Sequence, residues 1–193
     1  MLGVVLCGGK SSRMGTDKGL LKLEARTWAQ TAVDKLSALH MPVVLSVNAT
    51  QHHDYAAVFP PEQLVQDNDH LTIHGPLSGL LSVHLRFPQE DLLVLACDMP
   101  LMEAPIIEQL VAAYKINTHE VYLFSNNGEP EPLCGIYTAK GLAATIERYH
   151  NKQLLKHSMK FALQHLLVYT IPIEAGQEKY FRNFNAHAEL NGL

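Results

Sequence analysis

The sequence predicts an α/β fold: a mostly parallel sheet with helices on both faces and one small β-hairpin. Three observations carry this. Short apolar runs alternate with stretches of helical period, which is the pattern of crossover-connected parallel strands. Several of the runs, such as Leu92 to Ala96, are apolar throughout rather than alternating, as strands covered on both faces must be. Asn126 to Pro130, reading NNGEP, is a turn between two strand-like runs, the signature of a hairpin.

Taken in order, the first strand runs from Leu2 to Cys7 and leads into a glycine-rich loop. Trp28, Ala32, Leu36 and Leu39 then recur at helical spacing, ahead of a strand from Pro42 to Val47 and a short one from Gln63 to Gln66. Gly75 and Pro76 fix a tight turn before a helix through Leu80, Leu81 and Leu85. The strand Leu92 to Ala96 follows, then a helix marked by Ile107, Leu110, Val111 and Tyr114. Val121 to Phe124 and Leu133 to Tyr137 form the hairpin arms. Leu155, Met159, Ala162 and Leu166 suggest a last helix before a strand from Leu166 to Ile171, in a C-terminal third of less regular pattern. No linker, repeat or low-complexity tract divides the chain, so residues 1–193 read as one domain.

Composition narrows the functions. With 47% hydrophobic and 18% charged residues over 193 positions, the chain can bury an ordinary core without disulfides or a structural metal. A net charge of −4 and a pI near 6.2 argue against a general nucleic-acid or membrane-surface binder, so an anionic ligand must meet a local positive site. The N-terminal apolar run is short and lacks a preceding basic region, so neither a signal peptide nor a membrane span is expected, and the expected location is cytoplasmic. Cys7, Cys97 and Cys134 lack paired spacing and read as small buried residues. The eleven histidines, His52, His53, His70 and His74 among them, read as loop or surface residues rather than metal ligands.

The first strand delivers the chain into Gly8-Gly9-Lys10-Ser11-Ser12-Arg13-Met14-Gly15-Thr16-Asp17-Lys18. Three glycines allow close backbone approach, two serine hydroxyls can donate, and three cations fall within nine residues, a combination suited to a polyphosphate. Its place, just past the carboxyl end of a strand, is where ligands bind in open parallel sheets. Two familiar phosphate motifs fail. A Walker A loop ending at Gly9-Lys10-Ser11 would need a glycine at Val4, and the dinucleotide fingerprint needs a glycine where Lys10 stands. A second strand presents Asp98 at its carboxyl end, and a lone carboxylate beside phosphates suits Mg²⁺. His74-Gly75-Pro76-Leu77-Ser78-Gly79 offers another turn and helix start capable of backbone recognition. Glu129 and Glu131, either side of Pro130, suit solvated charges or substrate contacts.

GGKSSRMGTDK, QDNDHLTIHGPLSG, ACDMP, EPLCGIY and NFNAHAEL, in this order, make the chain similar to the molybdenum cofactor guanylyltransferases along essentially its whole length. That resemblance implies a Rossmann-like nucleotidyltransferase fold that joins GMP from GTP to molybdopterin, or to its molybdenum-loaded form, and releases pyrophosphate. It implies nucleotide contacts at Leu6, Cys7, Gly8, Gly9, Lys18, Asn48 and Asp67, and Mg²⁺ on Asp98. Arg13, Lys18 and Asp98 would carry catalysis, and Gly79, Asn183 and Asn185 would lie toward the pterin. Molybdenum cofactor carrier or insertion proteins are the implied protein partners. The chain departs from the family at Ala186-His187, where Thr-Pro is usual, and at Cys7, where Ala is common. Two other readings stay open: a relative using CTP or a sugar phosphate, and a catalytically silent nucleotide-binding protein.

Overall fold

A computed structural model describes residues 1–8, 17–23 and 25–184. In chain order the strands are β1 Leu2–Leu6, β2 Lys22–Leu23, β3 Arg26–Thr27, β4 Val43–Val47, β5 Leu64–Gln66, β6 Leu92–Ala96, β7 Val121–Asn126, β8 Glu129–Tyr137 and β9 Val168–Pro172. The helices are α1 Trp28–Ser37, α2 His52–Ala56, α3 Pro76–Arg86, α4 Ala104–Ile116, α5 Ala139–His150 and α6 Met159–Leu163. A seven-stranded sheet has the order β5-β4-β1-β6-β8-β7-β9, and β2 pairs with β3 in a separate ribbon. Only β8 runs against the rest, wedged antiparallel between β6 and β7.

Apolar runs without alternation become the central strands because both of their faces are covered. Val5, Leu45, Leu93 and Leu95 face a core completed by Leu36 of α1, Tyr55 of α2 and Ile107 of α4. Val4, Val44, Leu92 and Val94 face the opposite core, completed by Leu80 of α3, Leu142 of α5 and Met159 of α6. Each fully buried Leu or Val contributes about 1.5–3 kcal/mol by leaving water, so these two layers dominate the stability. Local signals set the boundaries. Thr27 and Gln30 close a reciprocal capping box at the start of α1, at 3.1 and 2.9 Å, a device in which the N-cap hydroxyl alone is worth about 1 kcal/mol. At the hairpin, Asn126 pairs with Glu129 across Asn127 and Gly128, whose φ values of 49° and 84° match the twist of the two strands.

The C-terminal third corrects the sequence reading twice. It holds a helix outside that reading: the twelve-residue α5, opened by the Thr138 side chain accepting from Gly141 N at 3.1 Å, fills the stretch after the hairpin. The periodic set from Leu155 to Leu166 is a helix only over Met159–Leu163, with Leu155 80% exposed, and the last strand begins at Val168 rather than Leu166. Ser158 sets the later start, its hydroxyl accepting from Phe161 N at 3.2 Å. Leu39 likewise falls beyond the end of α1. Among the described residues, no helix is long and apolar enough to cross a membrane.

Candidate nucleotide site

Because β5, β4, β1 and β6 are parallel neighbours, their carboxyl ends line one edge, and the residues just past those ends are brought together from distant parts of the sequence. Asp67 follows β5, Asn48 follows β4, Cys7 and Gly8 follow β1, and Asp98 stands two residues past β6. Leu6 turns its side chain into the α3 core, and its carbonyl accepts from Cys97 N at 3.1 Å. Among the described residues nothing stands within 4 Å of where a Gly8 side chain would be, which leaves its backbone open to a ligand on that side. Gly9, Arg13 and Asn185, with the rest of the loop from 9 to 16 and of the segment from 185, lie outside the described residues.

Lys18 begins a 3-10 turn, and its charge acts on Asp98. Burial pushes the Asp98 carboxyl above the usual carboxylate range while Lys18 pulls it back. Asp98 Oδ1 is buried without a hydrogen-bond partner among the described residues. An orphaned carboxylate oxygen beside an ammonium group fits Mg²⁺, which takes the rest of its shell from phosphates and water. Asp67 shares the pattern, its Oδ1 buried and unpartnered. Burial pushes its pKa to about 6, opposed by the Ser46 hydroxyl and reinforced by Asp69. Among the described residues no group of three or more His, Cys, Asp and Glu side chains is arranged to hold a metal by itself.

Asn183 and Phe184 of the late NFN segment also reach this edge. Phe184 is fully buried and its N–H donates to Asp98 O at 2.9 Å, which sets the exposed Asn183 close to the β6 carboxylate. Gly79 lies buried in α3, where a Cβ would stand 2.3 Å from Ser46 Oγ; its immediate role is close packing of α3 on β4. Gly75 takes φ 76°, which glycine allows at least cost, to start α3. Glu129 is exposed and bonds Lys160 at 2.8 Å, whereas burial raises the Glu131 carboxyl.

Several residues around the site were not singled out from the sequence. Asp17, Gln51 and Tyr55 form a hydrogen-bonded cluster beside the turn that begins at Lys18. Lys35 of α1 donates to Pro100 O at 2.6 Å, tethering the turn that carries Asp98, and burial lowers its pKa to about 8. All three cysteines are buried, as expected for small hydrophobes, and Cys97 N bonding Leu6 O sets Cys97 beside Cys7 on the neighbouring strand. No local pattern marks these partners, because each contact joins segments tens of residues apart. The Asp in the Asp17-Lys18 pair was the one available hint.

Lys18 with the carboxylates of Asp67 and Asp98, gathered past adjacent parallel strands of a mixed sheet, suits a nucleotide's phosphates, and the sheet and its helices have the Rossmann-like nucleotidyltransferase fold. Residues 3–166 match the MobA-like NTP transferase domain, and the chain belongs to that family. A molybdenum cofactor guanylyltransferase of Campylobacter jejuni is 31% identical over 193 aligned positions, covering 96% of this chain and 91% of that protein. The fold matches the crystal structure of molybdopterin-guanine dinucleotide biosynthesis protein A from Archaeoglobus fulgidus at a TM-score of 0.80 and 21% identity, over 100% and 96% of the two chains. It also matches 4-diphosphocytidyl-2C-methyl-D-erythritol synthase from Anaerococcus prevotii at a TM-score of 0.71 and 10% identity, over 99% and 92%. One architecture therefore serves proteins named for different nucleotides, and the fold alone does not select the base.

Proposed function

We propose that the protein transfers GMP from GTP to molybdopterin or its molybdenum-loaded form, acting in the cytoplasm and releasing pyrophosphate. The observation that carries this reading is the meeting of Lys18 with the Asp98 carboxyl, whose Oδ1 is buried without a hydrogen-bond partner among the described residues. Near-full-length similarity to a guanylyltransferase supports guanine as the base and the pterin as acceptor. In this reading the terminal phosphate of the acceptor attacks the α-phosphorus of GTP. One P–O bond forms as the bond between the α-phosphorus and the bridging oxygen breaks, and that oxygen leaves with pyrophosphate. The attacking phosphate is already largely ionised at neutral pH, so no strong general base is needed.

The residues position and neutralise. Lys18 and Arg13 offset the charge that gathers on pyrophosphate, while Leu6, Cys7, Gly8 and Gly9 receive the nucleotide through the backbone. Asn48 and Asp67 flank them on the next two strands. Asp98 would hold Mg²⁺, which would supply additional positive charge for the phosphates, and completes the set. The test is pyrophosphate release from GTP, CTP and ATP with Mg²⁺ and molybdenum-loaded molybdopterin. Release confined to GTP, and reduced about 10²-fold or more in Asp98→Ala, is expected. Release from CTP overturns the base assignment, and no release from any nucleotide overturns the enzyme reading.

A further inference from the structure

We propose that Asp17 is a positioning residue for this transfer, forming with Tyr55 and Gln51 a clamp that holds the Lys18 turn and the Cys7–Asn48 end of the nucleotide site in one geometry. The proposal rests on the nucleotide-transfer reading above. Its basis is a set of hydrogen bonds in which one carboxylate joins the Lys18 turn to the start of α2 through three donors. Asp17 Oδ1 accepts from Gly19 N at 3.0 Å, within the turn that begins at Lys18, and from Tyr55 Oη of α2 at 2.6 Å. Asp17 Oδ2 accepts from the amide of Gln51.

Gln51 carries the connection onward. Its Nε2 also donates to Cys7 O at 2.9 Å, fixing the chain as it leaves β1. Its Oε1 accepts from Asn48 N at 3.0 Å, while Asn48 Oδ1 accepts from Gln51 N at 3.0 Å, a reciprocal pair that closes the turn after β4. The segments expected to meet the phosphates and those expected to meet the nucleoside are thus joined through two side chains, Asp17 and Gln51.

The surroundings leave this arrangement little freedom. Tyr55 is fully buried, and burial together with Cys7, Cys97 and Asp17 pushes its phenol far up, so it stays protonated and remains a donor. Gln51 is 6% exposed, so losing a partner leaves a polar group without water to replace it. At Gly19 a Cβ would lie 2.1 Å from Tyr55 Oη and 3.2 Å from Cys97 Sγ, so the turn passes the clamp too closely for any side chain. A carboxylate fixed on these sides sets where the next residue, Lys18, leaves the backbone.

The test compares Tyr55→Phe and Asp17→Asn with wild type in full-length protein with Mg²⁺. It uses calorimetric GTP binding, steady-state transfer to molybdenum-loaded molybdopterin, and thermal unfolding. Tyr55→Phe keeps the ring and removes one donor. Its expected effect is a rise of about tenfold in the GTP Kd and KM, the size that loss of one bond to a charged group produces, with the acceptor KM unchanged. In a Lys18→Ala background the same substitution should cost no more than about threefold, because most of its effect passes through Lys18. GTP binding within about twofold of wild type in Tyr55→Phe reduces the cluster to a packing feature and overturns the proposal. So does a full tenfold penalty that persists without Lys18. If Asp17→Asn fails to fold, Tyr55→Phe still decides. Wild type that binds no GTP overturns the nucleotide reading and this proposal with it, whereas wild-type binding with unaffected variants overturns the clamp alone.

Discussion

Replacing Asp67 with Asn should make the protein more stable above pH 6 while weakening its nucleotide site. Asp67 is half-buried one residue past β5, its Oδ1 lacks a hydrogen-bond partner, and burial moves its pKa from 3.8 to about 6. The native state therefore favours the protonated acid. Stability from that preference is fully present below about pH 4, is lost as pH rises through 6, and is absent above it. At 1.36 kcal/mol for each tenfold change in proton affinity, the ionised carboxylate costs the fold at most about 3 kcal/mol. Solvent reaching the exposed part of the carboxyl reduces this to about 1.5 kcal/mol. In a chain of this length that corresponds to about 3–6 °C in Tm.

Asn matches the shape of the acid and does not titrate. In thermal unfolding measured from pH 4 to pH 8, the Asp67→Asn and wild-type curves should coincide near pH 4 and separate through pH 6. They should then stay parallel, with the variant higher. Calorimetry at pH 7.5 should show weaker GTP binding in the variant. A gap independent of pH, or a variant less stable than wild type at pH 8, would refute the reasoning, because the carboxylate would then be well solvated or paired in the native state.

Two further outcomes follow from the packing around the site. Gly79→Ala would put a methyl group 2.3 Å from Ser46 Oγ and 3.4 Å from Leu6 Cδ2, so either the buried Ser46 hydroxyl or α3 must give way; a loss of about 1–3 kcal/mol is expected by calorimetry, partly restored by adding Ser46→Ala. Lys35→Met removes the donor to Pro100 O while keeping the stem in place, and should lower the transfer rate about fivefold, the worth of about one hydrogen bond. Because burial holds the Lys35 pKa near 8, below its ordinary 10.5, wild type should gain stability as pH rises from 8 to 10, and Lys35→Met should lack that gain in thermal unfolding.

Much of the architecture was legible in one dimension because its determinants are local. The run Leu92 to Ala96 is buried on both faces and needed no partner to be recognised as an inner strand. The two-residue loop Asn127-Gly128 carries its own conformational preference. Asp98 and the glycine-rich loop stand out because chemistry and strand end coincide within a few residues of sequence. The helix α5, outside the sequence expectation, carries local signals as well: its Thr138 cap and the helical spacing of Leu142, Ile146 and Tyr149. The extent of α6 was misjudged because helical spacing alone does not say where a cap begins the helix; Ser158 does, and Leu155 is left in solvent.

The sequence by itself determined the strands, the hairpin, the cationic loop and the carboxylates past the strand ends, all of which depend on a residue and its near neighbours. Only the tertiary structure decided that β8 lies antiparallel between β6 and β7, and that Phe184 N reaches Asp98 O. It also decided that Gln51 and Tyr55 close on Asp17, 34 and 38 residues away along the chain. These contacts form because burial at the sheet edge leaves each polar group only the partners that the packed strands bring to it. That selection depends on three-dimensional proximity and burial, which spacing along the chain does not encode.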